Sequence, residues 1–269
     1  MGWIRRHSLT VYFILAYFIS WSIWSPLVLS AQGLIHLEIP PAWHLAGAFG
    51  PFLSALVVTS ITTGFQGVRE LIGRVCQWRV GIKWWLVALS PVALYLVAAL
   101  VQGLIEGSID FGGFGSVNEL PELPWLIGWL VMIVTFGLGE ETGWRGFVLP
   151  RLQNSHLAAG ATWRLVLLWL GWHLPMFLYK QSFIEMGLFG AIGWAVSLAF
   201  GAVLLTWLYN SSKGSILMVV VWHGTFNAAV SATGGNIAMI TSIMVIIWAI
   251  IVARRYGPAD LSPVGKHTL

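Results

Sequence analysis

The stretch WLIGWLVMIVTFGLGEETGWRGFV, residues 125–148, decides how the rest of the chain is read. It is long and apolar enough to cross a bilayer, which takes about 20 mostly apolar residues. Yet its second half carries Glu140, Glu141 and Arg145. A soluble domain would place such charges in water, and composition removes that option. The 269 residues are 58% hydrophobic and 9% charged, with 17 Trp and 14 Phe, where a soluble domain has about 25% charged residues. Mean hydropathy is +0.81. A soluble fold needs a polar shell that this chain cannot supply. Disordered chains, coiled coils, disulfide scaffolds and ordinary cytosolic enzymes are excluded. A polytopic membrane protein remains, in which each charge faces water or has a reason to be buried.

Working outward, eight apolar stretches qualify as spans: roughly 9–30, 43–64, 84–104, 125–148, 163–179, 187–209, 215–232 and 237–253. None shows strand alternation, which speaks against a membrane barrel. The expected fold is all-α, a polytopic bundle of about eight transmembrane helices. The basic start followed by an apolar run of about 22 residues reads as the first span, being longer than a signal-peptide core. Residues 65–83 alternate Leu71, Ile72, Val75 and Trp78 with Arg69, Arg74 and Arg79, the pattern of one interfacial amphipathic helix. Residues 1–256 read as a single domain and 257–269 as a short disordered cytoplasmic tail. The loop 106–123, rich in Gly and acid, reads as mobile. The lone Cys76 allows no internal disulfide. The net charge of +4 is spread among apolar runs, so nucleic acid is not an expected partner.

With the N-terminus inside, Arg5, Arg6, Arg69, Arg74, Arg79, Lys83, Arg145, Arg151, Arg164, Lys213, Arg254, Arg255 and Lys266 fall on the inner side, 13 of the 14 basic residues. Only Lys180 falls outside. The outer loops collect Glu38, Glu106, Asp110, Glu119, Glu122 and Glu185. That asymmetry matches the positive-inside rule with an even number of spans and both termini cytoplasmic.

Away from the span ends, the acidic, basic and histidine residues left inside spans are Glu140, Glu141, Arg145, His173 and His223, with Asn227 as a polar neighbour. Glu141 and Arg145 are four apart and share a helix face, so they can pair and pin the helix. That pair does not account for Glu140, which points about 100° away. A carboxyl left unpaired in an apolar wall suits proton transfer. His173 precedes Pro175, which would kink its helix and open space near the ring. His223 and Asn227 are four apart on one face; alone they could simply join two helices. At 1.5 Å per residue, Glu140, His173, His223 and Asn227 lie about 12 to 18 Å from the inner ends of their spans. One carboxylate, two imidazoles and one amide at a common depth suggest a shared polar cavity.

Such a set suits activating water. Glu140 would take a proton from water and pass it to a leaving amine. His173 would hold that water, and His223 and Asn227 would donate to a developing oxyanion. Glu140, His173 and His223 also form a plausible set for a divalent metal such as zinc, so metal-bound and metal-free water both stay open. No HExxH occurs, no span holds an Asp pair, and no Walker motif occurs.

At these residues the chain resembles the CPBP family, the CAAX proteases and bacteriocin-processing enzymes also called the Abi family. The family pattern is Glu-Glu-x-x-x-Arg, then Phe-x-x-x-His, then His-x-x-x-Asn, on successive membrane helices. Here EETGWR carries Glu140, Glu141 and Arg145 and runs on as GFVLPRLQ. Trp169 stands four before His173, where Phe is usual, and His223 leads to Asn227. AGAFGPFLSALV at 46–57 also looks typical. The resemblance covers roughly residues 43–230. It implies an intramembrane endopeptidase of a membrane-associated protein or peptide substrate, with prenylated CAAX proteins as the eukaryotic members' substrates. It maps the catalytic group onto Glu140, Glu141, His173, His223 and Asn227, with Arg145 in support. Metalloprotease and glutamate-protease forms are both compatible with it. The compact size suggests a prokaryotic inner membrane. Two other classes compete: a proton-coupled transporter, and a non-catalytic bacteriocin-immunity or binding protein. No charged residue lies in spans one, two, three, six or eight, which weighs against the transporter.

Overall fold

The computed structural model describes residues 2–109, 111–231 and 235–269. Asp110 and Ala232, counted above in an outer loop and at a span end, lie outside the described residues. Helices run the length of the chain, and no strand occurs among the described residues. We number the main ones α1 (Ser8–Ala31), α2 (Gly50–Val75), α3 (Ile82–Ala88), α4 (Ser90–Glu106), α5 (Trp125–Ser155), α6 (Ala158–Trp172), α7 (Gly187–Ser211), α8 (Ile216–Val230) and α9 (Gly235–Asp260).

The all-α expectation holds, and the count of about eight spans is not confirmed. Among the described residues five helices are long and apolar enough to cross a membrane: α1, Trp43–Val75, α5, α7 and Asn236–Asp260. The pair α3 and α4, bent by 44°, makes a sixth if taken as one span. The remaining two expected spans are α6 and α8, each of 15 residues. At 1.5 Å per residue each covers about 22 Å, short of a hydrocarbon core of about 30 Å. Composition could not measure this, because apolar residues flanking these helices belong to other local structures. Apolar side chains such as Phe18, Leu104, Leu167, Phe189 and Ile251 point outward from the bundle, as lipid contact requires.

Close packing without a hydrophobic drive depends on small residues at helix interfaces. Gly50 of α2 sits against Ser20 of α1, and Ser20 donates to the Gly47 carbonyl at 2.7 Å. At the α5–α8 crossing the backbones nearly touch. A Cβ at Gly224 would lie 2.4 Å from Ile133 Cα, and one at Gly137 would lie 2.4 Å from the Val220 carbonyl oxygen. Thr162 of α6 bonds Thr206 of α7 at 2.8 Å. Trp207 of α7 packs on Trp248 and Tyr256 of α9.

Three expectations about the connecting segments are corrected. The amphipathic stretch is helical to Val75, as a continuation of α2 past a break at Gly64 (φ 71°) that only glycine takes without strain, and again from Ile82, where α3 begins. Leu71 is buried, Ile72 and Trp78 are exposed, and Arg74 turns inward to the Tyr209 hydroxyl and the Gly146 carbonyl. The acidic loop is packed rather than loose. Val117 is buried, the Gly115 amide donates to the Ala228 carbonyl, and Asn118 donates to the Ser231 carbonyl. The tail is docked. Gln153 and Asn210 exchange side-chain hydrogen bonds at 3.0 and 2.8 Å. Gln153 also reaches the His267 carbonyl, and the His267 amide reaches Asn210. Burial, then the Arg74 charge, holds the His267 imidazole below its ordinary pKa. Proline and polar content suggested disorder, but the tail's backbone finds partners on α5 and α7.

The α5–α8 contact yields a stability prediction. Gly224→Ala forces backbone apart and should lower stability by about 1–3 kcal/mol. Thermal unfolding in detergent, with Gly193→Ala as a control in open space, measures it.

Candidate active site

α5 is not a uniform helix. Ile133–Leu138 and Trp144–Val148 are wound as π-helix, and Gly139–Gly143 between them is α-helical. Each π segment admits extra residues per turn and re-aims the side chains that follow, a feature frequent at functional sites. Glycines at 137, 139, 143 and 146 let neighbouring elements approach this distorted stretch. Glu140 and Glu141 stand in its α-helical middle, halfway along α5.

Glu141 and Arg145 pair as the spacing suggested. Arg145 Nη1 donates to Glu141 Oε1 at 2.8 Å, with both side chains fully buried. His223 Nδ1 also comes within 2.8 Å of Glu141 Oε1, yet it makes no directed hydrogen bond there. The approach is close in distance and poor in angle, so it counts as electrostatic contact only. Glu141 Oε2 and Arg145 Nε and Nη2 have no hydrogen-bond partner among the described residues. The guanidinium instead lies over the Trp169 ring, 4.5 Å from its centroid, a cation–π contact that offsets part of the lost hydration.

Glu140 reaches toward α6. Trp169 Nε1 donates to Glu140 Oε2 at 2.8 Å in a buried hydrogen bond. Trp169 therefore brings both an aromatic ring and a hydrogen-bond donor to the site.

His173 does not lie within a kinked helix, as expected from Pro175. α6 stops at Trp172, and Leu174–Leu178 continues as a 3₁₀ turn. A proline here lacks an N–H and would clash with the carbonyl one turn back, so the α-helix ends. The tightening moves the His173 amide onto the Leu170 carbonyl. The Trp169 carbonyl then accepts from His173 Nδ1 at 2.7 Å. A carbonyl only accepts, so Nδ1 carries the proton and neutral His173 keeps its lone pair on Nε2.

The rings close around Trp169. His223 meets it edge-on at 5.5 Å between centroids, and His173 is tilted against it at 5.9 Å. Asn227 sits one turn beyond His223 on α8 and is half-buried. Glu140, His173 and His223 are 2%, 8% and 7% exposed, so the cluster is shut from bulk solvent. Among the described residues no three His, Cys, Asp or Glu side chains converge to hold one metal ion. Glu140, His173 and His223 are thus not arranged as a ligand triad.

Two features escaped the sequence reading. One is the indole donor of Trp169, which no spacing rule reveals. The other is a polar group beside the site. Lys180 pairs with Glu119 at 2.7 Å and donates to buried His44 Nε2 at 3.3 Å, while His44 Nδ1 donates to the Tyr179 hydroxyl at 2.6 Å. Only a histidine inside an apolar run could have signalled it.

Residues 122–229 match the family model of type II CAAX prenyl endopeptidase Rce1-like proteins. That region holds α5 to α8 and the whole cluster. The chain is also similar to CAAX prenyl protease 2 of Methanococcus maripaludis, 20% identical over 234 residues, covering 82% of this chain and 83% of the relative. Both matches are with CAAX prenyl endopeptidases, and the family model spans the part of the chain that carries Glu140, His173, His223 and Asn227.

The buried ion pair gives a testable consequence. Removing one partner strands a charge, so Glu141→Ala should cost about 3–5 kcal/mol. Glu141→Gln combined with Arg145→Met should be closer to wild type than the single Glu141→Ala variant, as read by unfolding in detergent.

Proposed function

We propose that this protein is a CAAX-type membrane protease that cleaves a peptide bond near the C-terminus of a lipid-modified, membrane-associated protein or peptide, with Glu140 as the general base. The observation that carries the reading is the Glu140 carboxyl group and the His173 imidazole, whose Nδ1 is taken by a backbone carbonyl, both held against Trp169 in a site closed to bulk water. An apolar site strengthens each electrostatic contact inside it.

In this mechanism the lipid tail stays in the bilayer while the peptide enters the bundle. Water sits between Glu140 and His173, with His173 Nε2 accepting one of its hydrogens. Glu140 takes the other proton as the water oxygen attacks the scissile carbonyl, forming a C–O bond and an oxyanion. His223 and Asn227 of α8 donate to that oxyanion, a kind of stabilisation worth about 10²–10³ in rate per donor. Glu140 returns the proton to the nitrogen as the C–N bond breaks, releasing acid and amine. Glu141 and Arg145 hold the frame: their charges neutralise each other and carry the Trp169 ring.

We place the protein in a prokaryotic inner membrane with both termini cytoplasmic. Support for the orientation comes from charge pairing. Lys180 and Glu119, both assigned outside, pair with each other, while Arg74, Arg151 and the Lys266 tail gather near the opposite ends of α5 and α7.

Glu140→Gln keeps the shape and the acceptor for Trp169 but removes the base. Its turnover of a farnesylated peptide, in purified protein, should fall about 10²–10⁴-fold with the melting temperature retained. A chelator should leave wild-type turnover unchanged. Full activity of Glu140→Gln would overturn the reading.

A further inference from the structure

We propose that Trp169 is the positioning residue of this site: its indole N–H selects which oxygen of Glu140 faces the water, and its carbonyl selects which nitrogen of His173 does. The inference rests on the reading of Glu140 and His173 given above and deepens it.

A carboxylate turns freely about its last torsion, since that well is broad and two-fold. A hydrogen bond from Trp169 Nε1 to Oε2 at 2.8 Å removes that freedom and commits Oε1 to the water. The same residue acts through its backbone. The 3₁₀ turn draws the His173 amide to Leu170, so the Trp169 carbonyl takes the ring Nδ1–H at 2.7 Å. That holds the imidazole in one tautomer and leaves Nε2 as the nitrogen that can accept from the water of the proposed mechanism. Base and water-holder are thus indexed to each other through one residue.

The indole itself is held still. Arg145 lies over its face at 4.5 Å, His223 meets it edge-on at 5.5 Å, and the ring is 4% exposed. The Glu141–Arg145 pair therefore acts on Glu140 indirectly, by fixing the plane from which the N–H points. Packing alone would be served by any aromatic ring. The N–H is the part that packing does not need.

The test separates the ring from its proton. Trp169→Phe keeps an aromatic and loses the donor, but changes volume. Incorporation of β-(3-benzothienyl)alanine at position 169 keeps the shape and the stacking and loses only the N–H. A bond to a charged acceptor corresponds to a factor of about ten to a hundred. We expect kcat to fall by that factor in the benzothienyl variant, with KM within about twofold of wild type and the melting temperature unchanged. Wild-type kcat in that variant overturns the proposal, and so does a loss that appears equally in KM and melting temperature. Glu140→Gln is assayed alongside. If it is inactive while the benzothienyl variant is fully active, positioning fails and the base assignment stands. If Glu140→Gln turns over normally, both fail together.

Discussion

A full ion pair between Glu141 and Arg145, with no exposed surface on either side chain, is the constraint to which the surrounding structure answers. Two ions taken from water lose several kcal/mol each in solvation, and their attraction recovers this only in good geometry. The geometry here is assembled from three sources. The i,i+4 spacing brings the groups together, the Trp169 face covers the guanidinium, and the His223 ring approaches the same carboxylate oxygen. A pair so placed ties α5 to α6 and α8 at one level. The groups proposed for chemistry stand on those same three elements.

The backbone has to bend to this arrangement. Two π segments bracket the acidic motif, and both cost hydrogen-bond regularity. Glycine at the crossings makes the bend possible. Gly137 and Gly224 bring α5 and α8 into backbone contact, and Gly143 faces the Tyr12 hydroxyl and Pro51. A membrane bundle gains little from hiding apolar surface from lipid, so its specificity comes from such close fits and from polar contacts. The 3₁₀ turn after Trp172 works the same way: a proline ends the helix, and the freed carbonyl fixes a histidine.

Much of this was legible from the residues. The membrane class followed from 9% charge, and the Glu141–Arg145 pair followed from helical spacing. Glu140, His173 and His223 stood out because ionisable groups are costly in a bilayer. Other parts were not legible, for physical reasons. Lengths of α6 and α8 depend on where hydrogen bonding stops, which apolar content does not encode. The break at Gly64, the packed acidic loop and the docked tail depend on distant partners: Ala228 for Gly115, and Asn210 for His267. The metal option stayed open because ligand type is a property of sequence and ligand convergence is not.

The sequence by itself determined the solvent of this protein and the residues that must have a reason to be buried, because the cost of a charge in lipid is a property of composition and position along a helix. Only the tertiary structure decided which atoms those residues offer to one another. Whether Glu140 meets an aromatic face or an N–H, and whether His173 presents Nδ1 or Nε2, turns on the π segments of α5 and the 3₁₀ end of α6. Those are fractions of a helical turn, set by packing between segments far apart in the chain, and no local pattern of residues specifies them.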